Sequence, residues 1–306
     1  MELRVIYVIV ARDFKKFIRE RSRLISSVAR PVIWLFLIGA GMSRLVQPEG
    51  GMTYTQFIFP GILGMTILFS SIFSSISIIW DKEFGFMKEI LVAPVSRFSI
   101  VLGKAASGTV VSVIQAAIVL ALFPLVGIRL GPGEIAAALA LCAMTAFCIS
   151  SFGIVLATFY DSMESFSVIM NFIIMPMFFL SGAMYPIKLL PTPLKIAAKL
   201  NPLTYGVDAL KHIITPLKEG PMSPDFSIQA DIAAILVLSI VFIALSVRLF
   251  GNMFAKHTLL GVLAVMVPFI VPSLVLGLGV LVSFVQAFVF ALLTTLYLAG
   301  AVEEAH

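Results

Sequence analysis

Residues 57–80 read FIFPGILGMTILFSSIFSSISIIW, a run of 24 residues without a charged side chain. The hydrocarbon core of a bilayer requires about 20 consecutive apolar residues in a helix. Because backbone amides and carbonyls cannot stay unpaired in lipid, such a run is expected to be helical. The stretch therefore predicts a membrane-spanning helix. Seven similar runs occur elsewhere in the chain, at 29–46, 100–127, 134–159, 165–185, 229–250, 258–276 and 279–300.

The composition of the whole chain agrees with many membrane helices. Its 306 residues are 60% hydrophobic and 12% charged, and the mean hydropathy is +1.09. A soluble domain is roughly half apolar and about a quarter charged. A soluble enzyme, a disordered or fibrous protein and a nucleic-acid-binding domain are therefore poor interpretations. The predicted fold class is all-α, a polytopic integral membrane protein.

The first thirty residues are basic and amphipathic. Ile6, Val10 and Phe14 recur at helical spacing, and Arg12 and Lys16 lie mostly on the other side. This pattern predicts an interfacial helix lying on anionic membrane lipid. With the N-terminus inside, fourteen basic residues fall on the cytoplasmic side and seven on the outside. The positive-inside rule then predicts a multi-pass protein of the inner (plasma) membrane with both termini cytoplasmic.

The sequence carries few groups for catalysis or metal binding. It has no Walker A loop, no nucleophilic triad spacing and no clustered cysteines and histidines. Cys142 and Cys148 are interpreted as small packing residues, and His212 and His306 as incidental. We therefore expect neither a cofactor nor a metal in this chain. It is predicted to be a transport subunit rather than an enzyme.

Two connections between the apolar runs stand out. Residues 81–99 are charged and partly helical; they form either a solvated cytoplasmic loop or a docking segment for a soluble partner. Residues 186–228 form a long external connection with seven prolines and a short amphipathic piece at 194–200.

Residues 1–250 resemble the ABC-2-type family of ABC exporter permeases. The resemblance rests on the basic N-terminal helix, with ARDFKKFIRERSRLI at 11–25 and ARPVIWLFLIG at 29–39, and on four later stretches. These are PGILGM in the second run, WDKEFGFMKE at 80–89, FFLSGAMYPI at 178–187 and NPLTYGVDAL at 201–210. It implies a six-helix permease bundle that exports a drug, lipid or polysaccharide. It also implies separate ATP-binding subunits and a second permease copy, identical or different.

In that family the segment at 80–89 would face the ATP-binding subunit, and 178–210 would form an external re-entrant cap. The residues that the resemblance assigns to coupling are Trp80, Asp81, Lys82, Glu83, Phe84, Phe86, Lys88 and Glu89.

From residue 246 onward the chain resembles the C-terminal helices of subunit a of F-type ATP synthase. RLFGNMFA at 248–255 and QAFVFALLTTLYL at 286–298 carry the likeness. By position Arg248 matches the arginine that separates two proton half-channels. Asn252, His257 and Gln286 match polar lining positions, and the c-ring would be the partner. Taken alone, Arg248 near the end of an apolar run is also typical of a snorkelling anchor.

The chain is therefore interpreted as a hybrid. Residues 1–250 form a permease domain, and 251–306 form a two-helix hairpin. A natural fusion, a recombination, an assembly join and a designed sequence all remain open as its origin. Permease activity, proton translocation and a hairpin that is a passive appendage remain open as functions.

Overall fold

The computed structural model describes residues 2–43, 52–84, 95–160, 162–215, 220 and 222–266, together with 281, 284, 285 and 288. The chain forms two compact units, Met1–Gly251 and Asn252–His306. Within the described ranges we number the α-helices in chain order. They are α1 (Glu2–Arg19), α2 (Arg21–Met42), α3 (Tyr54–Glu83), α4 (Arg97–Leu120), α5 (Pro132–Phe159), α6 (Met163–Leu180), α7 (Thr192–Leu200), α8 (Pro202–Ile214) and α9 (Ile228–Met266).

The structure confirms the all-α, multi-pass fold class. The described residues contain no β-strand, and α3, α4, α5, α6 and the Ile228–Asn252 part of α9 are long and apolar enough to cross a membrane. The first predicted run corresponds to a shorter apolar helix, Val28–Met42. The run at 258–276 is described only as far as 266, and most of 279–300 lies outside the described residues.

The predicted run at 100–127 was too long. Helix α4 ends at Leu120 and is followed by a 3₁₀ turn, Phe123–Val126. Pro124 lacks the amide hydrogen that an α-helix would need there. Gly127 then takes a φ of 76°, a left-handed conformation that favours glycine. The apolar residues after 120 therefore belong to a turn and not to the spanning helix.

Helix α3 is the core of the bundle. It packs against α2, α4, α5, α6 and α8. Of its most apolar 18 residues 72% are buried, against 17% in the Ile228–Asn252 part of α9. Its start is fixed by Thr53, whose hydroxyl accepts a hydrogen bond from the Gln56 amide while the Gln56 side chain caps the Thr53 amide. Gly64 lets α8 approach closely, because a Cβ there would lie 2.5 Å from Val207 Cγ2.

Helix α1 packs along α4, with Phe17 buried. Its outer face exposes Leu3, Tyr7 and Val8, so both faces carry apolar side chains. At its start, the Ser96 hydroxyl donates to Glu2 Oε2 at 2.7 Å. The hydrogen bonds from Ser99 and Ser96 lower the pKa of Glu2 below its ordinary value. The predicted N-terminal helix is therefore present and anchored to α4.

The two ends of the α3 bundle differ. At the end where α3 begins, α7, α8 and residues 222–227 fold over the helices; we call this the capped end. The Tyr54 hydroxyl donates to the Met184 carbonyl at 2.9 Å, and the Asn201 side-chain Nδ2 donates to the Met177 carbonyl at 2.7 Å. The predicted amphipathic piece at 194–200 is part of α7. We call the end where α3 finishes the charged end.

Candidate functional site

A buried cluster of ions joins three helices at the charged end. Asp81 Oδ2 of α3 lies 2.8 Å from Lys104 Nζ of α4 and 3.4 Å from Arg12 Nη2 of α1. Lys104 Nζ also lies 3.6 Å from Asp13 Oδ2. The Lys104 and Asp81 side chains are only 6% and 11% exposed. The Asp81 carboxylate is therefore paired with cations of its own chain. Lys104 was not identified as its partner from the sequence, because 23 residues separate the two.

Lys82 joins the end of α3 to the end of α5. Its ammonium donates hydrogen bonds to the carbonyls of Ala157, Thr158 and Tyr160, at 3.0, 3.2 and 2.9 Å. The last carbonyls of a helix have no intrahelical partners and carry the negative end of its dipole. A lysine ammonium with three donors satisfies them. Asp81 and Lys82 together fasten the last turn of α3 to α1, α4 and α5.

The other described residues of the predicted coupling set divide into one that packs against α1 and two that are exposed. Lys16 Nζ lies 3.5 Å from the centroid of the Trp80 ring, a cation–π contact between α1 and α3. Glu83 is exposed, and Phe84 is 68% exposed. The structure thus turns Trp80 and Asp81 toward the bundle and leaves Glu83 and Phe84 exposed. Three members of the set lie outside the described residues: Phe86, Lys88 and Glu89.

A cavity of about 540 Å³ lies among α1, α2, α3 and α4, beside the charged end. Its wall combines aromatic rings, hydroxyls, two cations and two carboxylates, Asp13 and Glu20. The Arg30 guanidinium lies 4.7 Å from the centroid of the Phe69 ring. The principal lining residues are Lys16, Phe17, Arg30, Met65, Phe69, Ser70, Phe73, Ser74, Ser77, Trp80, Ser107 and Gln115. The surface is therefore partly apolar and carries polar groups of both charge signs.

The serines of α3 divide between helix packing and this cavity. The Ser71 and Ser112 hydroxyl oxygens lie 2.9 Å apart, and this buried hydrogen bond joins α3 to α4. Ser70, Ser74 and Ser77 face the cavity instead. Among the described residues the buried Ser70 hydroxyl has no hydrogen-bond partner.

A second buried cluster lies at the capped end. The Asp208 carboxylate accepts hydrogen bonds from the backbone N–H of Asp225 and Phe226, at 2.8–2.9 Å. Lys211 Nζ lies 3.7 Å from Asp208 Oδ1 and 3.6 Å from Asp225 Oδ2. Burial raises the pKa of Asp225 above its ordinary value, Asp208 adds to the rise, and Lys211 opposes it. The cluster holds 222–227 against α8.

His212 belongs to the same cluster, although the sequence prediction treated it as incidental. Its Nε2 lies 2.9 Å from the Phe226 carbonyl oxygen and 3.8 Å from Asp231 Oδ2. Asp231 lies in the first turn of α9, nineteen residues further along the chain. A short motif could not have shown this pairing, because the connection between α8 and α9 brings the two side chains together.

Three of the four residues matched to a proton path, Arg248, Asn252 and His257, lie along α9. Arg248 and Asn252 are exposed and four residues apart, so they share one face of the helix. The other face packs on α5, where the Ser246 hydroxyl donates to the Ser151 carbonyl at 3.2 Å. His257 lies in α9, but its side chain is outside the described part, as is the whole of Gln286. The structure therefore describes only the first two residues of this set.

Comparisons with known proteins find two families in this chain. Residues 4–215 match the family described as ABC-2 type transporter, and residues 205–299 match ATP synthase A chain. The second match begins well before residue 246, where the sequence motifs placed its start.

Similar proteins come from both families. The transport permease ycf38 of Cyanophora paradoxa is 32% identical over 212 residues, which are 68% of this chain and 73% of that protein. Nodulation protein J of Rhizobium leguminosarum bv. trifolii is 28% identical over 198 residues, 63% of this chain and 74% of that protein. ATP synthase subunit a 1 of Syntrophotalea carbinolica is 45% identical over 103 residues, 33% of this chain and 41% of that protein. The chain therefore belongs to the ABC-2 type transporter family, and its C-terminal third is similar to ATP synthase subunit a.

Proposed function

We propose that this chain is the permease subunit of an ABC exporter. It moves a drug, lipid or polysaccharide-type solute outward, and a separate ATP-binding subunit hydrolyses the ATP. The observation that carries the proposal is the way the last turn of α3 is anchored at the charged end. There the exposed Glu83 and Phe84 directly follow a helical turn that is fastened to three other helices.

This construction suits the transfer of force from a soluble partner. A force that the partner exerts on Phe84 acts on the last turn of α3. Lys104 and Lys82 connect this turn to α4 and α5. Because α3 is the buried core helix, its displacement would shift the helices around it together. We therefore assign the segment at 80–89 to coupling. Glu83 and Phe84 would touch the partner, and Asp81 and Lys82 would position them.

The cavity among α1–α4 is the proposed solute site. It is adjacent to the coupling segment, since Trp80 and Ser77 line it. Arg30 and Lys16 supply positive charge, and Phe69 and Phe73 supply apolar contact. Asp13 and Glu20 also line the cavity, so an amphipathic molecule with both charge signs, such as a zwitterionic phospholipid, matches this lining.

We also propose that two permease copies assemble in the plasma membrane, as identical or different halves, with the termini in the cytoplasm. Helix α6 is weakly buried, with Phe172 75% exposed and Val168 54% exposed. On α2, Leu37 is 69% exposed. These faces are available to lipid or to a second copy. We assign residues 1–250 to the permease and 251–306 to the appended segment.

Transport by inside-out vesicles tests the proposal. Vesicles containing the chain and an ATP-binding subunit should accumulate a fluorescent phospholipid or ethidium when ATP is added. Vesicles that lack either protein should not. Arg30→Ala should reduce phospholipid transport more than ethidium transport, because it removes a cation from the cavity. Equal accumulation with and without the ATP-binding subunit would contradict the proposal.

Proton translocation is a second candidate, favoured by the match of residues 205–299 to ATP synthase A chain. In this function Arg248 would hold the rotor carboxylate of a c-ring in its ionised form. Asn252 and His257 follow on the same helix.

A complementation experiment tests this second candidate. The chain is expressed in a strain that lacks subunit a, and growth on a respiratory substrate is measured. Growth that is lost with Arg248→Ala would support a working proton path. No growth, with the chain present in the membrane, would exclude it.

A further inference from the structure

The buried cluster at the capped end contains more negative than positive charge. Asp208, Asp225 and Asp231 face the single buried ammonium of Lys211, and none of the four side chains is more than 4% exposed. Lys188 adds a cation on the Asp225 side, where it donates to the Ser223 hydroxyl and the Pro224 carbonyl. Asp231 is therefore the carboxyl group of this cluster with the fewest compensating contacts. A buried charge is costly unless a counter-ion or a metal neutralises it.

Asp231 is the unusual member of the cluster. Its side chain is 0% exposed, and within the described part of the chain neither carboxylate oxygen has a hydrogen-bond partner. The nearest chargeable nitrogen is His212 Nε2 at 3.8 Å. Buried polar atoms in native proteins are nearly always paired. The two free oxygens therefore point to a missing ligand.

The geometry around Asp231 suits a metal ion. Asp208, His212 and Asp231 each bring one ligand atom, and these three atoms all lie within 4.8 Å of one another. Tetrahedral ligands at about 2.1 Å from zinc are about 3.4 Å apart. Modest rotations of the three side chains would close the remaining gap. His212 would then exchange its contact with the Phe226 carbonyl for the metal.

The site is also accessible from outside the bundle. The His212 side chain is 29% exposed and lines an open pocket of about 740 Å³ at the capped end. Arg129 and Glu134 lie on the same pocket. An ion could enter past the imidazole, and a water molecule from the pocket could complete the coordination.

We propose that Asp208, His212 and Asp231 bind one divalent transition-metal ion of the Zn²⁺ class. An imidazole with two carboxylates is typical of zinc, whereas Ca²⁺ and Mg²⁺ prefer oxygen ligands alone. The ion offsets the charge of the Asp231 carboxylate and ties the first turn of α9 to α8. This site lies in the permease unit and is independent of the solute that is transported.

Metal titration of the full-length chain in detergent tests the site. The protein is stripped with a chelator, and Zn²⁺ is titrated against a chromophoric competitor. We expect one Zn²⁺ per chain, and at least tenfold weaker binding for Asp231→Asn and for His212→Ala, since even second-shell changes cost 10–100-fold. Co²⁺ substitution should give the visible absorption of a tetrahedral site, lost in both variants.

Two control variants make the result specific. Glu134→Gln changes a carboxylate on the same pocket but keeps the oxygen that accepts from the Gly131 amide. His306→Ala removes a histidine that follows Glu303 and Glu304 in the sequence. Both should bind Zn²⁺ like the parent. Absence of stoichiometric binding, or undiminished binding by His212→Ala, would overturn the proposal. The partly exposed His212 variant decides the question even if Asp231→Asn fails to fold.

Discussion

Replacing Lys104 with methionine removes the buried cation that Asp81 and Asp13 share. The nearest partner is Asp81 Oδ2 at 2.8 Å, and the Lys104 and Asp81 side chains are 6% and 11% exposed. Breaking a buried ion pair on one side costs about 3–5 kcal/mol. Arg12, which is half exposed and 3.4 Å away, still faces Asp81, so we expect the lower value. About 3 kcal/mol corresponds to roughly a hundredfold loss in the folded-to-unfolded ratio.

Thermal unfolding in detergent measures this loss. For a chain of this size each kcal/mol lowers the melting temperature by about 2–4 °C, so Lys104→Met should lower it by roughly 6–12 °C. The matched control is Lys15→Met, which removes an exposed charge on α1 and should shift it little.

The double variant Asp81→Asn with Lys104→Met tests whether the two residues act as a pair. Because it leaves no unpaired Asp81 charge, it should cost less than the sum of the single variants, by about 1–2 kcal/mol. Additive losses of unfolding free energy in the double variant would refute the assignment of Asp81 to an ion pair that anchors α3 to α4. A loss below about 1 kcal/mol for Lys104→Met alone would refute it as well.

Four further substitutions test other parts of the structure. Gly64→Val should lower the free energy of unfolding by about 1–3 kcal/mol, measured by thermal denaturation, because its side chain would collide with Val207. Lys82→Met should speed amide hydrogen exchange in the last turn of α5, because three carbonyls lose their donor. Ser74→Phe should reduce phospholipid transport without lowering the melting temperature, because the phenyl ring fills the cavity. Ser71→Ala should instead lower the free energy of unfolding by about 1 kcal/mol, because it removes the buried hydrogen bond to Ser112.

The sequence was sufficient to predict most of the spanning helices, because hydropathy depends on each segment alone. The predicted run at 57–80 corresponds to α3, which spans 54–83. The helix begins three residues earlier than the run because Thr53 caps its N-terminus. The prediction was wrong where proline and glycine residues decide the end of a helix. In the run at 100–127 the helix stopped at Leu120, ahead of Pro124 and of Gly127 with its positive φ.

The sites were harder to predict because they join distant parts of the chain. Asp81 was singled out from its loop, but its partner Lys104 looked like an ordinary charge near a helix end. His212 had no nearby ligand in the sequence, and only the fold brings Asp231 to 3.8 Å from it. The signal that could have suggested these clusters was a charged residue within or beside an apolar run, since such residues are functional candidates by default.

Photo-crosslinking from position 84 tests most directly whether a separate ATPase drives this permease through the coupling segment. A photoreactive amino acid replaces Phe84, which is 68% exposed, and a second variant carries it at Leu200, which is 77% exposed at the capped end. After irradiation of native membranes, captured proteins are identified by mass spectrometry. Position 84 is predicted to capture a protein with a Walker A sequence, with a yield that changes on ATP addition, and position 200 should not. Capture of no such protein from position 84, or equal capture from both positions, would contradict the account.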